Sequence, residues 1–314
     1  MPPKKERLTL FEQPFDWGFH LYALGVYMMD RGMADEVEFW DYSDTRDAWY
    51  LSNGILKVLF YNPEDVLDYM ERYGYPDLII NHGRFGQTIL PFLEGKSFRV
   101  HVPVLCADQY KKGQVNAECF LVDSEDEVND YALLYIPVVN TKRIFPVPCE
   151  KKRDFIYLAG LYEGKRHDLI IRAVQGTNLT GHFHPVDGAL LDLKGSQIAT
   201  SSLNTEDVVQ LLRTSRIAVY PGDKTSNPAA MWECVAAGLP IVVNENICGG
   251  KHLVVSGITG EFAGEDNFYD MMRHVLKNID SYHPAEYFQE HWGTVKILED
   301  QISFFRRMGF NKCS

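Results

Sequence analysis

Short apolar runs alternate with segments of helical spacing twice along this chain, and alternation of that kind calls for parallel sheets covered by helices on both faces. In the first half, residues 8–11, 36–40, 57–61, 77–81, 98–103 and 119–122 read as strands. Helices fall at 19–31, closed by Gly32, at 63–73 and at 88–93. A stretch at 136–153 carries Pro137, Pro146 and Pro148 without regular periodicity and reads as a linker. The alternation then restarts, with strands at 155–159, 179–183, 197–200 and 217–220 and helices at 167–174, 205–214, 228–237, 267–276 and 294–308. The expected class is α/β: two Rossmann-like doubly wound domains facing a cleft, with ligands at the carboxyl ends of the strands.

A chain of 314 residues with 46% hydrophobic residues supports two such cores. No uncharged apolar run is long enough to span a bilayer, and the start, MPPKKERLTLFEQ, has no apolar core of a secretion signal, so a cytoplasmic location is expected. The six cysteines are scattered without the paired short spacing of a zinc or redox site, and reduced structural thiols are expected. A net charge of -12 opposes broad binding to nucleic acid or anionic lipid. Two basic spots, Lys4-Lys5-Arg7 and Lys111-Lys112, leave room for a weak peripheral membrane contact. His182 and His184 alternate on one expected strand near Asp187, but no fourth ligand stands close in sequence, and no metal site is expected.

One stretch reads as a binding site in outline. Residues 217–220 form an apolar strand, the chain breaks at Pro221-Gly222, and helical spacing resumes at Pro228. Asn227 is expected to cap the helix, Pro228 to occupy its first position and Gly238 to end it. A helix start at the carboxyl end of a parallel strand gathers unpaired N–H groups and the positive end of the helix dipole, which suit a phosphate. An ordinary strand-turn-helix connection is the other reading of the same residues.

Longer segments carry a resemblance. IPVVNTKRIFP (136–146) looks like an interdomain connector, and FIYLAGLYEGKRHDLIIRAV (155–174) like the first strand, loop and helix of a donor domain. YPGDKTSNPAAMWECVAAGLPIVV (220–243) and GGKHLVVSGITG (249–260) look like a donor-site helix and the glycine-rich segment after it. In these segments the chain resembles glycosyltransferase family 4, retaining enzymes of the GT-B fold that use nucleotide-sugar donors. The resemblance implies an acceptor domain at 1–147, a donor domain at 148–290 and a closing helix in 291–314 that crosses back to the first domain. It implies no metal or other cofactor beyond the nucleotide diphosphate-sugar co-substrate.

By this resemblance Glu233 holds the donor ribose hydroxyls and Lys165 neutralises the diphosphate. Thr225, Ser226, Asn227, Pro228, Ala229, Gly250 and Lys251 surround the donor, with Gly18 giving the diphosphate a close approach. His82 contacts the transferred sugar, and Asp16 and Trp17 lie on the acceptor side. The acceptor would be a hydroxyl of a glycan, a glycolipid or a small molecule, attacking on the face the diphosphate leaves. Two positions depart from the pattern: Thr225 stands where the family has its first glutamate, and Leu161 where it has an arginine. Losing a cation beside a departing diphosphate weakens transition-state stabilisation, and Arg166 or Lys251 is expected to replace it. The departures keep open a second reading, a catalytically degenerate homologue that binds nucleotide or sugar as a partner or regulator. A third is a sugar-nucleotide epimerase of similar architecture.

Overall fold

The computed structural model describes residues 7–11, 19–42, 47–50, 54–76, 78–81, 99–104, 119–122, 125–161, 163–184, 191–201, 205–223 and 228–310. The chain divides into two compact units, 1–138 together with 297–314, and 139–296.

The first unit is built on an eight-stranded sheet of order β3-β4-β2-β1-β5-β6-β7-β8. Its strands are β1 (Arg7–Phe11), β2 (Glu36–Tyr42), β3 (Asp47–Tyr50), β4 (Leu56–Phe60), β5 (Leu78–Asn81), β6 (Arg99–Val104), β7 (Cys119–Val122) and β8 (Ala132–Leu134). All neighbours pair in parallel except β3, which turns back antiparallel along β4 at the edge. Helix α1 (Phe19–Asp30) leads from β1 to β2, and α2 (Pro63–Tyr73) follows β4. The start of α2 is written locally. Asn62 and Asp65 form a capping box, with each side chain accepting from the other's backbone N–H at 3.0 and 3.2 Å, and a proline opens the first turn. Glu38 is buried and stays satisfied by Trp40 Nε1 at 2.6 Å and Tyr69 Oη at 3.0 Å.

The second unit carries a six-stranded, wholly parallel sheet of order β11-β10-β9-β12-β13-β14. Here β9 is Arg153–Leu158, β10 Thr180–His184, β11 Gln197–Thr200, β12 Ser215–Tyr220, β13 Ile241–Asn244 and β14 Gly260–Ala263. The crossovers include α3 (His167–Val174), α4 (Thr205–Arg213) and α5 (Ala229–Ala236); after β14 come α6 (Phe268–Lys277) and α7 (Pro284–Trp292). Every residue of β13 is buried, as covering on both faces requires. The last helix, α8 (Thr294–Arg307), begins in the second unit and joins the first from residue 297 onward. There it buries Ile297, Leu298, Ile302, Phe304 and Phe305, and Glu299 accepts from Tyr27 of α1 and from Arg31 just after it, at 2.8 and 3.0 Å.

Several elements differ from expectation. Helix α5 starts one residue late: Pro228, with φ -76 and ψ 122, is itself the cap residue and offers no side-chain hydrogen bond, while Asn227 lies outside the described residues. The end is as expected, because Gly238 takes φ 86 and its N–H and that of Leu239 bond back to Val235 and Cys234 at 3.0 Å. Strands β3, β8, β13 and β14 and helix α7 were not anticipated. Among the described residues His182 and His184 do not gather a metal set; both turn to Ser201, at 2.8 Å to its hydroxyl and 2.9 Å to its carbonyl. Asp77, the helix expected at 88–93 and Asp187 lie outside the described residues.

Packing of β13 on β14 leaves no room at Gly260, where a Cβ would stand 2.0 Å from the Ile241 carbonyl oxygen. Because that atom is backbone and cannot rotate away, Gly260→Ala is expected to cost about 1–3 kcal/mol in urea unfolding.

Candidate functional site

In the second unit every strand runs the same way, so the loops that follow β9, β12, β13 and β14 all emerge at one edge of the sheet. Most of the expected donor residues of this half lie in those loops or at the helix starts behind them.

After β9 the chain makes a short 3-10 turn, Glu163–Lys165, and passes through Arg166 into α3. Arg166 has φ 52 and ψ 43, and among the described residues it is the non-glycine with positive φ. A left-handed backbone at such a residue costs roughly 1–2 kcal/mol, so other contacts must hold it. Four hydrogen bonds do so. The guanidinium grips Glu265 in bidentate fashion at 2.7 and 2.9 Å, and reaches Asp223 at 3.3 Å and Asp168 at 3.4 Å. Only 19% of the Arg166 side chain is exposed. Its hydrogen bonds with Glu265 come first in raising the guanidinium pKa and in lowering that of the Glu265 carboxyl.

Lys165 is half-buried beside this turn, and Tyr157 Oη donates to its carbonyl at 2.7 Å. Burial pulls its ammonium down to about 8, since removal from water penalises the charged form. Behind it His167 is buried against the rings of Tyr157 and Phe183, at 4.8 and 5.2 Å. Burial, outweighing a backbone pull from Ala159, lowers its pKa to about 4.

The loop after β12 is pinned from β13. Buried Asn244 donates to the Pro221 carbonyl at 2.8 Å, and the Cys248 thiol meets the Asp223 carbonyl at 3.3 Å. Helix α5 carries Glu233 on a partly exposed face while Met231, Trp232, Cys234 and Val235 face the core. The Cys234 thiol, 3.3 Å from Tyr220 Oη, is pushed up to about 12 by burial and is structural. Gly250, with φ 79, caps a 3-10 turn, Lys251–Leu253, that leaves Lys251 exposed. That turn is held to α5 by His252, whose ring lies 5.2 Å from Trp232.

The structure thus places Lys165, Arg166, Pro228, Ala229, Glu233, Gly250 and Lys251 in the second unit, on the loops and helix starts that follow β9, β12 and β13. Asp16, Trp17, Gly18, His82, Thr225, Ser226 and Asn227 lie outside the described residues. Sequence reasoning missed Asp223 and Glu265. Asp223 sat inside the stretch already singled out, but Glu265 is 99 residues from Arg166, and only the packing of α3 on α6 brings the starts of these helices together. Leu161, which stands where the family has an arginine, is half-buried ahead of the Glu163–Lys165 turn.

No protein-family model and no curated protein matches the sequence. Solved structures match over nearly the whole chain. The sucrose-phosphate synthase of Thermosynechococcus elongatus is 12% identical, with a TM-score of 0.78 over 96% of this chain and 99% of that one. HepE of Anabaena, solved with UDP and glucose, is 10% identical, with a TM-score of 0.73 over 96% and 99%. AviGT4, a glycosyltransferase involved in avilamycin A biosynthesis, is 15% identical, with a TM-score of 0.68 over 96% and 97%. The likeness at these identities is one of fold: the chain has the GT-B fold of glycosyltransferases. No helix among the described residues is long and apolar enough to cross a membrane.

His167 and His182 both have folded-state pKa values near 4, below the ordinary 6.5, with burial the first cause in each. The unfolded chain therefore takes up these protons first, so their contribution is intact above 6.5 and is lost as the pH falls towards 4. Replacing His167 by Phe, which keeps the ring packing and removes one proton site, is expected to flatten the acid limb of a stability-versus-pH curve from urea titrations.

Proposed function

We propose that this protein is a retaining glycosyltransferase whose second unit binds a nucleotide diphosphate-sugar and whose first unit holds a hydroxyl acceptor. The observation that carries the reading is the half-buried Lys165 on the first strand-to-helix turn of a GT-B sheet, at the strand ends where this class of sheet takes its ligands. HepE, a structural neighbour, has been solved in complex with UDP and with UDP-glucose, which supports a nucleotide-sugar donor here.

In this reading Lys165 meets the diphosphate as it departs, the backbone N–H groups after Pro228, from Ala229 onward, receive the sugar-phosphate end, and Glu233 accepts from the ribose hydroxyls. Arg166 and Lys251 were both expected as replacement cations. Arg166 spends four of its five N–H donors on carboxylates, so the replacement falls to exposed Lys251 next to Gly250. Thr225, Ser226 and Asn227 complete the donor side, and Gly18, Asp16, Trp17 and His82 belong to the diphosphate approach and the acceptor side. The acceptor hydroxyl attacks the anomeric carbon on the face from which the diphosphate leaves, and the diphosphate takes its proton. We place the enzyme among cytoplasmic, metal-independent hexosyltransferases.

The same engagement of Arg166, together with Leu161, favours one alternative, a degenerate GT-B protein that binds nucleotide or sugar without transfer. The two readings separate on turnover: a transferase hydrolyses its donor slowly without acceptor, whereas a binding protein gives a thermal shift and no hydrolysis at any donor.

A panel of UDP, GDP, ADP and their sugars is expected to raise the melting temperature with one base. At a hundredfold excess over Kd a ligand adds about 2.7 kcal/mol of apparent stability. Glu233→Ala is expected to weaken that ligand by about 10- to 100-fold, the value of hydrogen bonds to a charged group. No shift with any nucleotide would overturn the donor reading. Affinity is also expected to fall as the pH rises through about 8, where Lys165 loses its charge, and Lys165→Arg is expected to remove that decline in calorimetric titrations.

A further inference from the structure

We propose that Glu265, acting with Asp223 through Arg166, is a positioning residue for the donor: the three side chains form a clasp that locks the left-handed turn presenting Lys165. The inference rests on the donor reading above and gives that site a part which neither expectation nor fold supplies.

The clasp joins three loops. Arg166 ends the turn after β9, Asp223 lies in the loop after β12, and Glu265 opens the 3-10 turn after β14 that runs into α6. Strands β12 and β13 separate β9 from β14 in the sheet, so this side chain ties the turn to a strand that β9 does not touch. Isolated exposed ion pairs contribute little, but this one is bidentate, has a second carboxylate on the same guanidinium nitrogen and leaves Arg166 only 19% exposed.

The backbone supplies the reason for the clasp. With φ 52, Arg166 holds a conformation that glycine adopts without penalty and arginine does not. This residue also closes the Glu163–Lys165 turn, its N–H bonding to the Glu163 carbonyl at 3.0 Å, while its own carbonyl accepts from Leu169 at 3.1 Å to begin α3. Relaxation of Arg166 to negative φ would rotate both at once, moving the lysine before it and the helix start after it. The clasp therefore fixes where Lys165 stands, and the guanidinium, with four of its five N–H donors held by carboxylates, does this without touching the phosphates. Glu265 and Asp223 bring negative charge to the edge of an anion site, a cost that makes sense where their partner must be held.

The test compares four proteins: wild type, Glu265→Gln, Arg166→Ala and Arg166→Gly. Calorimetric affinity for UDP, GDP and ADP is measured alongside amide hydrogen exchange of the 160–168 peptide without ligand. Glu265→Gln and Arg166→Ala are expected to weaken the preferred nucleotide by about 5- to 10-fold and to speed exchange in the turn. Arg166→Gly is expected to bind at least about threefold tighter than Arg166→Ala, because glycine keeps the turn without the clasp. Equal losses in the Ala and Gly variants with unchanged exchange would assign the guanidinium to the phosphates and overturn the proposal, as would unchanged or tighter binding by Glu265→Gln. If wild type binds none of the three nucleotides, the donor reading fails; exchange then judges the clasp, and an unaltered turn in Glu265→Gln overturns it.

Discussion

A wholly parallel sheet delivers all its strand ends to one edge, and the candidate donor site of this protein depends on that constraint. Six parallel strands bring the loops after β9, β12, β13 and β14 to a common rim, and the helices behind the loops after β9, β12 and β14 turn their N–H groups the same way. The rim is then made rigid by small polar devices: Asn244 on the Pro221 carbonyl, Gly250 at its positive φ and the Arg166 clasp. Burial sets its chemistry, because the desolvation that lowers the Lys165 pKa also strengthens any charge it meets when protonated.

Much of this was legible in the residues, for local reasons. Helix α2 stands where expected because Asn62, Pro63 and Asp65 encode its start within one turn, and α3 because its apolar residues recur at helical spacing up to Val174. Gly238 ends α5 as expected, since its positive φ is a property of the position itself. The start of α5 was misjudged by one residue: Asn and Pro are both good openers, and which of them takes the cap is decided by the backbone of a loop that propensity does not see.

What was not legible is non-local. Strand β3 is a four-residue antiparallel edge strand defined by its partner β4, and β13 is a four-residue run whose identity as a strand comes from neighbours on both sides. In sequence Glu265 is one acidic residue of a Glu-Asp pair, and Arg166 reads as a replacement cation for the diphosphate. Each acquires a role only when α3 and α6 lie side by side, and an ion pair across 99 residues leaves no mark on local pattern.

The path of α8 has a consequence for how the protein is made. The second unit is continuous in sequence, from 139 to 296, whereas the first is completed only by residues from 297 onward, including Phe304 and Phe305, both buried. During synthesis the earlier-born half therefore cannot close its core until residues from 297 onward are made, and part of its apolar surface stays uncovered while the whole of the second unit is translated.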